Sequence, residues 1–179
     1  MLSKEKTGLI LVDIQGKLAR TVVESNELIE QCQKLIQGVQ ALGMPILWLE
    51  QNPDKLGDTV EEIRKHLPNL NRIIKYTFDA SQEPQFIHAI QATGRTSWLV
   101  AGIEAHICVY QTISHLKRLG YDMHLVIDCI SSRLKANKSL AIDKLAKQGV
   151  PMTGVEMCLY ELVQDCRAPE FKTILNLIK

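Results

Sequence analysis

Short, continuous runs of aliphatic residues recur along the chain and alternate with stretches of helical periodicity. The runs lie near residues 8–13, 45–49, 71–76, 97–103, 122–128 and 151–156. They are continuous rather than alternating, as expected for strands buried on both faces. Between residues 26 and 42 apolar positions recur every three or four residues, and Gly43 and Pro45 end that predicted helix. Further helices are predicted over residues 106–119 and 137–149.

Alternating strands and helices of these lengths predict a doubly wound sheet, because parallel neighbours need a crossover and the crossover is usually a helix. We therefore expect the α/β class, as a three-layer Rossmann-like fold with a mostly parallel six-stranded sheet flanked by helices. No linker, repeat or low-complexity tract interrupts the pattern, so residues 1–179 are expected to form a single domain.

Composition favours a globular enzyme with a small-molecule substrate. The 179 residues are 46% hydrophobic, enough for a real core. A net charge of +1 gives no sign of a nucleic-acid or membrane partner. No apolar run could span a bilayer, and we expect no leader before the first strand. The five cysteines are an odd set without a CxxC pair, which indicates reduced thiols and a cytoplasmic or otherwise reducing location.

Three chemically active residues fall at the same predicted edge of the sheet. Asp13 and Lys75 end predicted strands, and Cys108 lies just past another. Ligands of such sheets bind outside the carboxyl ends of the strands, so an acid, a cation and a thiol there suggest a cysteine hydrolase. Taken singly, Asp13 could be a turn or N-cap residue and Lys75 a surface lysine. As a pair, Lys75 would keep Asp13 ionised and polarise a bound carbonyl.

Cys108 differs from the other cysteines by its position. It falls in the first turn of a predicted helix, where free N–H groups and the helix dipole stabilise a thiolate and offer donors to an oxyanion. Because Lys75 is also expected nearby, we expect its pKa at least about one unit below the ~8.5 of free cysteine, and we expect it to be alkylated first. Cys32, Cys129 and Cys158 are interpreted as packing residues. His106 lies two residues from Cys108 and so off its helix face, and we interpret it as lining the pocket or contacting a partner subunit rather than forming a dyad.

The remaining chemistry is restricted by what the sequence lacks. The other histidines have no ligand spacing, and no dinucleotide fingerprint or P-loop is present, so we expect no metal and no cofactor. Gln15, Gln51, Phe78 and His106 are the candidates for the substrate pocket, because they lie beside the predicted strand ends.

Several segments together resemble the isochorismatase-like cysteine hydrolase superfamily. They are Val12-Asp13-Ile14-Gln15, Lys75-Tyr76-Thr77-Phe78, the stretch from Val100 to Val109 with Thr112, and Asp128 to Arg133. Within the superfamily the chain looks most like the isochorismatase domain-containing hydrolases, given Glu50 to Pro53 and Gly102 to His106.

The resemblance implies a mechanism. Asp13 would take the thiol proton, Lys75 would orient groups and stabilise charge, and Cys108 would attack an amide-type carbonyl to form a thioester. A cis peptide between Ile103 and Glu104 would turn the N–H groups of Glu104 and Cys108 toward the oxyanion. The resemblance, with an apolar C-terminal helix that is either core or interface, also implies a homo-oligomer, a dimer or larger.

Two departures from the superfamily bear on the substrate. The stretch from Glu50 to Asp58 lacks the metal-binding histidines of nicotinamidases, and the presence of Cys108 argues against vinyl-ether cleavage. The sequence therefore predicts a hydrolase acting on a C–N bond of an amide, carbamoyl or ureido compound. The alternative is an oligomeric interaction module, weakly catalytic or inactive, whose thiol senses oxidants or electrophiles.

Overall fold

The sheet has six parallel strands and confirms the predicted fold class. A computed structural model describes residues 1–179. The strands are β1 Thr7–Val12, β2 Ile46–Gln51, β3 Arg72–Lys75, β4 Ser97–Gly102, β5 Asp122–Ile130 and β6 Met152–Thr153. Their spatial order is β3-β2-β1-β4-β5-β6, so the chain winds outward from β1 in one direction and then crosses back to β4. The carboxyl ends of β1 and β4 therefore meet at the switch point where such folds bind ligands.

Nine α-helices connect and cover the strands. They are α1 Gly16–Thr21, α2 Ser25–Ala41, α3 Pro53–Leu56, α4 Glu61–Arg64, α5 Pro84–Thr93, α6 Tyr110–Arg118, α7 Lys135–Lys147, α8 Val155–Val163 and α9 Phe171–Ile178. A 3₁₀ turn, Ala80–Gln82, precedes α5, and a π-helical turn, Ala105–Val109, precedes α6. No helix is long and apolar enough to cross a membrane.

Both faces of the sheet are buried, as the continuous apolar runs indicate. On β1, Leu9 and Leu11 belong to the core under α2, α8 and α9, whereas Ile10 and Val12 belong to the core under α5, α6 and α7. Successive strand residues point to opposite faces, so a strand covered on both sides must be apolar at every position. In α9, Ile174 is fully buried in the first of these cores, so this helix packs on its own chain.

Gly102 allows β4 to end against β1. It lies opposite Val12 and has a φ of +131°, and a Cβ placed there would lie 2.0 Å from the Val12 carbonyl oxygen. Only glycine tolerates both the approach and that backbone conformation. The close contact brings the segment after β4, which carries Cys108, next to the end of β1.

Candidate active site

Asp13 and Lys75 form a buried ion pair at the carboxyl edge of the sheet. Lys75 Nζ lies 2.8 Å from Asp13 Oδ2, and the two side chains are 0% and 2% exposed. Because β2 separates their strands, the lysine side chain crosses the end of β2 to reach the carboxylate. Asp13 itself has a φ of +54°, an uncommon conformation for a residue with a Cβ, and such strain often marks a functional position.

Burial makes Asp13 a stronger base than an ordinary aspartate. Loss of solvent raises the pKa of its carboxyl above the ordinary 3.8, and the nearby charge of Lys75 opposes that rise. Neither carboxylate oxygen accepts a hydrogen bond of ordinary geometry, and Oδ2 is the one paired with the Lys75 ammonium. Asp13 therefore has one oxygen held by Lys75 and one available to accept a proton.

Cys108 completes the group, but its pKa is opposite to the sequence expectation. The side chain is buried and lies beside Asp13 and Lys75, both of which act on its pKa. Burial, followed by the negative charge of Asp13, raises the pKa of the Cys108 thiol to about 12, and Lys75 offsets only part of this. The predicted lowering of this pKa was wrong. A pKa of about 12 leaves the Cys108 thiol protonated at neutral pH.

The start of the helix around Cys108 also differs from the prediction. Cys108 lies in the π-helical turn Ala105–Val109, so α6 begins only after it. The Ile103–Glu104 peptide is cis, which confirms the bond implied by the family resemblance. The N–H of Glu104 has no acceptor in the protein, whereas the next N–H, of Ala105, donates to the Ser131 carbonyl oxygen at 2.8 Å. A free amide therefore lies within the segment that leads to Cys108.

Arg133 and its neighbours hold this segment through contacts that the sequence did not reveal. Arg133 donates to Glu104 Oε1 from Nε at 2.6 Å and from its backbone N–H at 3.2 Å. Burial tends to raise the pKa of Glu104, but the hydrogen bonds and charge of Arg133 outweigh it and hold that pKa below its ordinary value. His106 Nδ1 lies 3.0 Å from Ser132 Oγ. The segment 131–133 thus fixes residues 104–106 at three points.

The other acids at strand ends are used elsewhere. Glu50 Oε1 accepts hydrogen bonds from the N–H and hydroxyl of Thr59, and Oε2 pairs with Arg72 at 2.9 Å. The carboxylate of Asp128 accepts from the N–H of Val155, the first residue of α8. Both side chains support the scaffold around the edge rather than the reacting group.

The predicted pocket residues divide into two kinds. Gln15 and Gln51 were predicted to line the pocket, but their amides are hydrogen-bonded within the protein, Gln51 to Lys75 and Gln15 to the backbone of Gln51. Phe78 is 56% exposed in the loop after β3, and His106 is half-buried beside Glu104. Phe78 and His106 therefore remain candidates for contact with a ligand, whereas the two glutamines act on other protein groups.

The site is compact and contains no cluster of metal ligands. Four cavities of about 370 to 510 Å³ lie elsewhere on the surface, and none is lined by Asp13, Lys75 or Cys108. No group of three or more His, Cys, Asp or Glu side chains is arranged to hold a metal ion. All five cysteines are free, and only Cys166 is exposed.

The chain matches one family profile and curated relatives whose names refer to the same domain. The sequence profile described as Isochorismatase domain matches residues 7–157. Isochorismatase domain-containing protein 1 of Salmo salar is 33% identical over 174 residues, covering 97% of this chain but 61% of that protein. The chain thus spans less than two thirds of that relative.

Solved structures match over nearly the whole chain. MAR1 ribonuclease from Caenorhabditis elegans is 29% identical with a TM-score of 0.92, over 99% of this chain and 91% of that one. The YcaC gene product of Escherichia coli, described as an octameric hydrolase of unknown specificity, shares the fold at 21% identity. Its TM-score is 0.93, over 98% and 89% of the two chains.

Proposed function

The chain belongs to the isochorismatase family, and we propose that it is a cysteine hydrolase that cleaves a C–N bond of a small amide, carbamoyl or ureido compound. The family has a hydrolase fold. The cysteine nucleophile and the C–N bond as the bond that is cleaved are our assignment. The observation that carries the proposal is the buried Asp13–Lys75 ion pair with the buried Cys108 thiol beside it. A buried acid, cation and thiol together are costly for stability and useful for catalysis.

The first half of the proposed reaction forms a thioester. Asp13 accepts the Cys108 proton as the sulfur attacks the substrate carbonyl, and the carbonyl electron pair moves onto oxygen. The free N–H of Glu104 donates to that oxyanion, and the Lys75 ammonium stabilises the negative charge in the site. Collapse of the intermediate breaks the C–N bond, and the leaving nitrogen takes the proton from Asp13.

The second half hydrolyses the thioester. Asp13, again a carboxylate, takes a proton from water while the water oxygen attacks the thioester carbonyl. The C–S bond breaks, the thiolate of Cys108 recovers the proton from Asp13, and the carboxylic acid leaves. The net reaction consumes one water and releases one amine or ammonia and one acid.

The raised pKa of Cys108 weighs against the alternative of a redox-sensing interaction module. Sensor thiols are exposed and ionised at neutral pH, because the thiolate is the species that reacts. Cys108 is 7% exposed, and burial together with Asp13 raises its pKa to about 12. A thiol in this state is better suited to activation by a bound substrate than to reaction with oxidants.

Ammonia release from a panel of small primary amides, carbamoyl and ureido compounds tests the proposal. Turnover should be abolished in Cys108→Ser, retained in Cys166→Ser and unaffected by EDTA. RNA belongs in the panel because a relative is named a ribonuclease. Turnover that survives Cys108→Ser, or cleavage of RNA with none of the C–N compounds, would overturn the proposal.

A further inference from the structure

Gln51 ends β2 directly beside the catalytic lysine. Lys75 Nζ donates to Gln51 Oε1 at 2.6 Å, which is shorter than its contact with Asp13 at 2.8 Å. A hydrogen bond to a charged group is among the stronger ones in a protein interior. The amide oxygen of Gln51 is therefore a main determinant of where the ammonium lies.

Three oxygens surround the Lys75 ammonium. Nζ donates to Gln51 Oε1 and, at 3.3 Å, to the Thr77 carbonyl oxygen, and it forms an ion pair with Asp13 Oδ2 without hydrogen-bond geometry. An ammonium has only three donors, so its position is defined by these three oxygens. The bond to Thr77 is the longest, and it is the donor that Lys75 can redirect toward sulfur or substrate most easily.

Gln51 is itself held in one orientation. Its Nε2 donates to the Tyr76 carbonyl oxygen at 2.8 Å, which forces Oε1 to face Lys75. Its backbone N–H and carbonyl are both bonded to the amide of Gln15, at 2.6 and 3.1 Å. Gln15 is in turn fixed by a bond to the Gly57 carbonyl oxygen at 2.7 Å. A relay of two glutamine side chains thus connects the loop before α4 to the catalytic lysine.

We infer that Gln51 is a positioning residue that holds the Lys75 ammonium between Asp13 and Cys108, and that Gln15 holds Gln51. This inference rests on the proposed function of the site. Both polar atoms of the Gln51 side chain are bonded within the protein, so Gln51 leaves substrate binding to other residues. Its loss should lower kcat and leave KM unchanged.

The test uses Gln51→Met, which keeps the length of the side chain and removes the amide. Without Oε1 the buried ammonium loses an acceptor and is held less firmly near Cys108, so its support for the thiolate weakens. Alkylation of Cys108 by iodoacetamide should slow about tenfold across about pH 7 to 9, equivalent to about one pKa unit. Gln37→Met is the matched control, because the Gln37 amide bonds to a backbone carbonyl of α2 far from the site.

Gln51→Glu is the second variant should Gln51→Met fail to fold. It keeps an oxygen for Lys75 but adds a negative charge, so alkylation of Cys108 should again slow. A folded Gln51→Met or Gln51→Glu protein whose Cys108 reacts as fast as in the wild type overturns the inference, as does a rise in KM at constant kcat.

The two proposals fail separately. Slower alkylation in the Gln51 variants, in a protein that hydrolyses no compound of the panel, supports the positioning role and refutes the hydrolase. Turnover in the wild type with unchanged kcat and alkylation in the variants refutes the positioning role alone.

Discussion

Replacing Asp13 with asparagine should make Cys108 more reactive toward an alkylating agent while abolishing turnover. The carboxylate lies beside the thiol and raises its pKa, so removing the negative charge favours the thiolate. Asparagine cannot accept the proton, so the proposed reaction loses its base. The two readouts should therefore move in opposite directions.

The magnitude follows from the charges at the site. The pKa of Cys108 rises from 9.0 to about 12, with burial the larger cause and Asp13 the next. Two unit charges about 4 Å apart interact by ~4 kcal/mol at an effective dielectric constant of about 20, which is about three pKa units. Lys75 cancels part of the effect of Asp13, so we expect Asp13→Asn to lower the pKa of Cys108 by about one unit. Alkylation near neutral pH should then be about tenfold faster.

The assay is iodoacetamide labelling against pH, read by peptide mass in a Cys166→Ser background. That background is needed because Cys166 is exposed and Cys108 is buried, so Cys166 should be alkylated before Cys108, contrary to the sequence expectation. Asp143→Asn, at an exposed position of α7, is the matched control. Labelling of Cys108 that is unchanged or slower in Asp13→Asn would contradict the electrostatic account of the site.

Four further outcomes are expected. Lys75→Met should slow the alkylation of Cys108 and the turnover of substrate at least about tenfold, because it removes the cation that offsets the charge of Asp13. Rate measurements on both reactions check this. Arg133→Met should lower kcat/KM about tenfold by freeing Glu104. The Glu104 pKa lies below its ordinary 4.5, so the Glu104–Arg133 pair contributes its full stability above about pH 4.5 and loses it as the pH falls further. Urea titrations should show this acid-dependent loss of unfolding free energy in the wild type but not in Arg133→Met. Gly102→Ala should destabilise the fold by at least about 2 kcal/mol in urea, whereas Gly43→Ala, with positive φ but open space, should cost about 1 kcal/mol. Light scattering should show a dimer or larger assembly; a monomer at micromolar concentration would refute this.

The positions of the strands were predictable, because a strand buried on both faces gives a continuous run of apolar residues. The predicted run 97–103 and the observed Ser97–Gly102 differ by one residue, and the residue types that follow the strands mark one edge. Parallel topology then places Asp13 and Lys75 at the same edge of the sheet, as expected. Their 2.8 Å contact also needs the lysine side chain to cross the end of β2, a strand order that the sequence pattern did not specify.

The residues that hold the site residues in place could not be predicted from the sequence. Gln51 is 24 residues from Lys75, and Arg133 is 29 residues from Glu104, so neither pair leaves a local pattern. The segment that ends in Arg133 was noticed as a motif, but its partner could not be identified. Gln15 was assigned to the pocket because it follows Asp13, whereas its partners lie in β2 and in the loop before α4.

The position of Cys108 near a helix start was not enough to predict the direction of its pKa shift. A helix N-terminus favours an anion by about 0.3 to 1 kcal/mol, whereas burial of a charge and a neighbouring carboxylate each act on the scale of several kcal/mol. The local effect is real but smaller, so the thiol stays protonated. In the proposed reaction the thiolate forms only as Asp13 takes its proton, which couples the nucleophile to a bound electrophile. Such a site needs the positive charge of Lys75 to stay in place while the proton moves. The hydrogen bond from Lys75 to Gln51 is the contact that we propose holds it there.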